Sequence, residues 1–145
     1  MRRVTPLLLA ALLAVGGAAP AWSGEEEAPM QLAGAITVNA EQIIALLNST
    51  SDLVIVDSRK PEDFTAGAIE GAVLLTDSVM TPTALAEAVP SKATPVLFYC
   101  NGLKCGRAAK AAAMAVAWGY ERVYYYALGM AEWHRLNLPV VKATE

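Results

Sequence analysis

The sequence predicts an α/β fold built on a mainly parallel sheet. Two patterns predict it. Short apolar runs of strand length at residues 53–56, 72–75, 96–99 and 123–126 alternate along the chain with stretches of helical character. The runs at 53–56 and 96–99 are apolar throughout instead of alternating, as in strands buried on both faces.

Order is expected to begin near Thr37. Asn39 can cap a helix over residues 40–47, with Gln42 at the reciprocal capping-box position and Ile43, Ile44, Leu46 and Leu47 as its buried stripe. The strand at 53–56 ends in Asp57. Pro61 suits the first turn of a short helix through Phe64, which Gly67 ends. Residues 72–75 form a second, short strand. A helix over 81–89 is stopped by Pro90, and the strand at 96–99 then runs straight into Cys100. From Gly106 or Arg107 to Trp118 an Ala-rich stretch has strong helix propensity, with Gly119 placed to end it in the left-handed conformation. Residues 123–126 are the last strand, followed by Gly129 and a short helical piece over 132–136.

The first 23 residues read as an address. Arg2 and Arg3 precede an apolar run over 7–15, and small residues follow over 18–23, the order found in a secretory signal peptide. The run is short of the ~20 residues needed to cross a bilayer, and Glu25, Glu26 and Glu27 follow at once. A retained anchor is the competing reading. Ala21 and Ser23 place the cut before Gly24, with a cut after Ala21 as its rival. Residues 24–36 then form a flexible leader and residues 37–145 one domain, in a protein expected to be periplasmic or secreted without a stable membrane anchor. Loss of the signal, which carries two arginines and no acid, takes the formal net charge from −3 to −5. Such a surface does not attract nucleic acid.

Only two cysteines are present, Cys100 and Cys105, with one histidine, His134. That set is too small for a structural zinc site. In an oxidising compartment such a pair can close as a disulfide.

The chemistry concentrates in Phe98-Tyr99-Cys100-Asn101-Gly102-Leu103-Lys104-Cys105-Gly106-Arg107. Ligands of open α/β sheets bind beyond the carboxyl ends of strands, where Cys100 stands. Backbone N–H groups of a loop curling into a helix favour an anion held there, whether thiolate or persulfide. A pKa lowered from ~8.5 to ~6.5 would raise the thiolate share at pH 7 from about 3% to about 75%, so that no histidine base is needed.

These residues resemble the rhodanese-like family over nearly the whole domain, from about Thr37 to Val140. Asp57-Ser58-Arg59 followed by Phe64 and 67–72 is similar to its first signature; Phe98-Tyr99-Cys100 with Arg107 to its active-site loop; Gly119-Tyr120, Val123, Gly129 and Trp133 to its closing signature. The resemblance implies a three-layer sandwich with a mainly parallel central sheet flanked by helices. It also implies a thiosulfate-type sulfurtransferase in which Cys100 accepts sulfane sulfur as a persulfide and passes it to a small thiol, cyanide or a partner protein. The resemblance implies no metal or organic cofactor. The departures are Ala68 where the family usually has histidine, Met130 where it has a second glycine, and six residues between Cys100 and Arg107 where four is commoner.

Other roles stay open. Cys105 is either a resolving or regulatory thiol or a structural disulfide partner, and closing the pair would switch sulfur transfer off. Arg107 is either a solvated first-turn residue or a cation for an anionic sulfur, able to hold sulfonate or sulfite oxygens. Asn101, Gly102, Leu103, Lys104 and Gly106 complete the loop, and Asp57 and Arg59 brace it. Two further function classes compete with sulfur transfer: a thiol redox protein cycling a Cys100–Cys105 disulfide, although the spacing is not Cys-x-x-Cys, and a binding module that has lost activity. A Cys-x5-Arg phosphatase or arsenate-type enzyme fits less well, since this loop has one residue too many.

Overall fold

The computed structural model describes residues 27–142. The signal expected over 1–23 lies outside them, as do residues 24–26 of the leader and 143–145 of the domain.

Five strands form one sheet in the order β1-β5-β4-β2-β3: β1 (Ile36–Thr37), β2 (Val54–Asp57), β3 (Val73–Leu74), β4 (Val96–Tyr99) and β5 (Val123–Tyr126). Every pairing is parallel, and β2 and β4 run in register from Val54 beside Val96 to Asp57 beside Tyr99. The helices are α1 (Ala40–Ser49), α2 (Pro61–Ala66), α3 (Pro82–Ala88), α4 (Arg107–Ala117) and α5 (Gly129–Arg135). The α/β sandwich predicted from the sequence is the one observed.

The apolar strands bury both faces. On one face Val56, Phe98, Cys100 and Tyr125 pack beneath α4 and α3; on the other Ile55, Leu97, Tyr99 and Tyr126 meet Ile43 of α1 and Met130 and Trp133 of α5. Five buried alanines of α4, Ala108, Ala109, Ala111, Ala112 and Ala115, replace bulk with close approach, so this helix lies tight over β4 and β5.

Asn39 caps α1 as expected, accepting from the Gln42 N–H at 2.9 Å while the Gln42 side chain accepts from the Asn39 N–H at 2.9 Å. The expected stripe is narrower. Ala40 and Ile43 are buried and Leu46 is half-buried, whereas Ile44 and Leu47 are 38% and 42% exposed. Contact follows the single i, i+3 row 40, 43, 46, and Ile44 and Leu47 each stand one residue further round. Helix α5 begins at Gly129, three residues before its expected start. Strand β1, two residues at the sheet edge, gives no periodic signal. Of the leader stretch, Ala28 is buried, the Thr37 hydroxyl donates to Met30 O at 3.1 Å, and the Tyr125 hydroxyl donates to Pro29 O at 2.9 Å.

The chain leaves β2 through α2 towards β3 and leaves β4 through α4 towards β5. Neighbouring strands thus feed loops in opposite directions. Their carboxyl ends form the switch-point crevice where α/β sheets hold ligands, and residues 57–59 and 100–107 meet there.

Candidate functional site: a paired-cysteine loop

Strand β4 delivers Cys100 to the crevice, 2% exposed. The loop beyond it is fixed from several directions. The Asn101 amide donates to Asp63 of α2 at 3.0 Å, the Ala28 N–H donates to Leu103 O, and the Cys105 N–H closes a turn on Gly102 O at 2.9 Å. From above, the first turn of α5 donates through the Met130 N–H to Cys100 O and the Ala131 N–H to Asn101 O, both at 2.9 Å. Gly129, at φ +54°, makes that approach possible, because a Cβ there would overlap the carbonyl oxygen of Cys100.

Cys100 and Cys105 are joined as a disulfide across a Cα–Cα distance of 6.2 Å, within the usual span of such bonds. The two cysteines are unequally placed. Cys100 belongs to the core beneath α4, whereas Cys105 is half-buried and lines an open cleft of about 680 Å³. The loop supplies Asn101, Gly102, Leu103, Lys104 and Cys105 to the cleft wall, and α5 with the residue before it supplies Leu128, Ala131, Glu132 and Arg135. Lys104 is exposed. Arg107 turns to Asp77 instead, at 3.9 Å, where Lys110 also reaches at 3.2 Å. Gly106 joins the loop to α4.

Beneath the loop lies a buried polar network. Asp57, fully buried, accepts from the Arg59 guanidinium at 2.7 Å and from the Tyr99 hydroxyl at 2.6 Å. Arg59 donates again to Gly67 O at 2.8 Å, and the Ile69 N–H donates to the Tyr99 oxygen at 3.2 Å. Burial pushes the Tyr99 phenol far above its ordinary range, and the Asp57 carboxylate reinforces the shift. Burial works against the Arg59 cation, yet its hydrogen bonds and ion pair with Asp57 hold its pKa above the ordinary value. Asp57 and Arg59 therefore brace the strand ends, and Tyr99, which the sequence placed only in the loop motif, is the third member of that brace. Glu132 is a second omission: it accepts from the Ala40 N–H at 3.1 Å and the Tyr126 hydroxyl at 3.0 Å, tying α5 to α1 and β5. No spacing rule points to it.

A family model for the rhodanese-like domain matches residues 39–136, more than half of the chain. The chain belongs to the rhodanese-like domain family. The protein YibN of Escherichia coli (strain K12) is 32% identical over 97 residues, which span 66% of this chain and 66% of that relative. Among solved structures, the BH2092 protein from Bacillus halodurans superposes with a TM-score of 0.65 at 24% identity, covering 74% of this chain and 77% of that one. The human single-domain sulfurtransferase TSTD1 superposes with a TM-score of 0.57 at 26% identity, covering 70% and 96%.

Membership of the rhodanese-like family does not carry the expected chemistry with it. Cys100 is expected as a thiolate that takes up sulfane sulfur; instead its Sγ is bonded to Cys105 Sγ. A disulfide sulfur carries no negative charge and cannot attack a donor, since the thiolate is the nucleophile. The disulfide therefore overturns the reading of this rhodanese-like domain as a thiosulfate-type sulfurtransferase enzyme with a Cys100 persulfide. The two positions where it departs from the family are structural here. Ala68 is buried and exchanges backbone hydrogen bonds with Val141 at 2.8 and 2.9 Å, and Met130 fills the core between β4 and α5.

Among the described residues no group of three or more His, Cys, Asp and Glu side chains is placed to hold a metal ion, and no helix is long and apolar enough to cross a membrane.

Proposed function

We propose that this rhodanese-like domain is a thiol–disulfide redox protein whose working group is the Cys100–Cys105 pair. The observation that carries this reading is the disulfide itself, closed at the switch-point crevice with one cysteine lining an open cleft and the other in the core. A thiolate entering the cleft attacks Sγ of Cys105, the S–S bond breaks, and its electron pair leaves on Sγ of Cys100, which takes a proton. A second thiol then attacks the entering sulfur of the mixed disulfide and displaces Cys105. The partner leaves as a disulfide, and the pair has gained two electrons and two protons.

The rest of the loop assists. Leu103, Leu128 and Ala131 give the cleft an apolar wall, and Lys104 at its rim favours the thiolate form of an incoming thiol. Asn101, Gly102 and Gly106 shape the loop, Arg107 anchors the start of α4, and Asp57 and Arg59 hold the strand ends beneath. Partners are thiols or protein dithiols. We further infer that residues 1–23 export the chain, that 24–36 are a leader to a single domain over 37–145, and that the pair works outside the cytoplasm, where disulfides persist.

Glutathione tests the exchange. Native protein equilibrated in buffers of reduced and oxidised glutathione should interconvert fully between no alkylatable thiols and two, and Cys100→Ser should accumulate a glutathione adduct on Cys105 that it cannot resolve. A disulfide that reacts with thiols only after the chain is unfolded would sink the redox reading and leave a binding module with a structural bridge.

A further inference from the structure

The one buried side-chain oxygen or nitrogen without a hydrogen-bond partner among the described residues is the hydroxyl of Ser58. Ser58 is fully buried, and its own N–H donates to Tyr99 O at 2.9 Å. An unpaired hydroxyl in such a place loses its water without recompense, and native structures keep few of them. Its position suggests a use. Parallel pairing sets Val56 beside Phe98 and Asp57 beside Tyr99, and the Ser58 N–H to Tyr99 O bond carries the chain one residue past that last pair, towards the position of Cys100. Side chains alternate along a strand, which sends Asp57 and Tyr99 to one face and Ser58 and Cys100 to the other, the face where Val56, Phe98 and Cys100 form the core beneath α4.

Resting on the redox reading above, we propose that Ser58 is a positioning residue for the disulfide: its hydroxyl donates to the Cys100 thiolate that forms when the S–S bond opens. In the closed pair Cys100 is neutral and asks for no donor. On attack at Cys105, the electron pair of the S–S bond arrives on a sulfur that is 2% exposed, out of reach of bulk water. A charge in that place needs a hydrogen bond, and Ser58 holds one that nothing else uses. The hydroxyl turns about a single torsion and brings no charge of its own, so it leaves the oxidised state undisturbed. It stabilises the reduced pair only, which makes the disulfide a stronger oxidant and Cys100 a faster leaving group.

Two measurements on Ser58→Ala test this. In the Cys105→Ser background, where Cys100 is the only thiol, thiolate absorbance at 240 nm against pH should place the Cys100 pKa about one unit higher once Ser58→Ala is added, the tenfold effect of one charge-assisted hydrogen bond. In the two-cysteine protein, equilibrium with glutathione at a pH above the titrated Cys100 pKa of both proteins, where the reduced pair keeps Cys100 as the thiolate, should show a tenfold weaker oxidant, about 30 mV more negative. Oxidised Ser58→Ala should meanwhile unfold at the same or a higher urea concentration, because the variant removes a buried hydroxyl that has no partner. A merely structural serine would lower stability and leave pKa and potential alone. Equal Cys100 pKa values with and without the hydroxyl overturn the proposal. The pKa titration does not depend on exchange: if the parent disulfide proves inert to glutathione, the redox reading fails while the titration still decides what Ser58 does.

Discussion

Gly129→Ala tests how the cysteine loop is held. The new methyl group meets three backbone atoms: it overlaps Cys100 O, lies 2.8 Å from Gly102 N and lies 3.0 Å from the carbonyl carbon of Asn101. None is the end of a flexible side chain. Relief requires the loop and α5 to separate, at the expense of the Met130 N–H to Cys100 O and Ala131 N–H to Asn101 O bonds. The two bonds contribute about 1 kcal/mol each, and an L-residue at φ +54° adds about 1–2 kcal/mol of strain. The expected loss is about 3–4 kcal/mol. Gly119→Ala is the control, since Gly119 sits at φ +86° with nothing within 4 Å of its built Cβ and its substitution carries the strain alone. Urea unfolding of the two oxidised variants, followed by far-ultraviolet circular dichroism, should separate them by about 2 kcal/mol, or about 1–2 M in midpoint for a domain of this size. If both unfold at one midpoint, the contact between α5 and the loop does not constrain Cys100 and the account of its fixed carbonyl is wrong.

Three further outcomes follow from other parts of the molecule. Asp57→Ala leaves the Arg59 cation buried without its carboxylate and should cost about 3–5 kcal/mol in chemical denaturation, whereas Tyr99→Phe, which removes one donor to the same carboxylate, should cost about 1–3 kcal/mol. Stability should fall as pH rises above about 10: burial holds the Tyr125 phenol up to about 12 in the folded chain and raises Tyr99 and Tyr126 as well. The unfolded chain therefore releases these protons first, and each tyrosine should take away up to about 1.4 kcal/mol per pH unit, read from urea midpoints between about pH 9 and 11. N-terminal sequencing of protein recovered outside the cytoplasm should begin at Gly24; intact Met1 in the membrane fraction would point to a retained anchor.

The elements most legible in the sequence are those with a local cause. Residues 96–99 and 123–126 are apolar throughout because strands in the middle of a parallel sheet have no polar face, and both are bounded by their flanking loops. The capping box at Asn39 and Gln42 and the proline at the start of α2 are likewise written in adjacent residues. What long-range contact decides is not legible. Strand β1 exists because Ile36 and Thr37 lie beside Tyr124 and Tyr125, far along the chain. Helix α5 starts at Gly129 because its N–H groups find Cys100 and Asn101, and nothing in its own residues says so. At the site, the loop and the brace of Asp57 and Arg59 can be located from residue types. The state of the sulfurs cannot: it depends on a 6.2 Å separation that the fold sets.

In the proposed redox exchange, that separation would let one loop serve two different ends. Thiol–disulfide exchange needs an accessible sulfur to be attacked and a leaving sulfur whose charge is stabilised. Four residues between the cysteines put one at the end of the strand and the other at the mouth of α4, so one is buried in the core and the other half-buried beside the cleft. A Cys-x-x-Cys turn would place both at a helix start in similar surroundings. Here burial discriminates between them: Cys100 is 2% exposed among the core residues beneath α4, while Cys105 is half-buried and lines the cleft that a thiol would enter. The order of events in the proposed exchange would thereby be set by the sheet. Cys100 is held at the end of β4 and by the first turn of α5, and Ser58 by its N–H to Tyr99 O, both just beyond the strand register that sets Asp57 beside Tyr99.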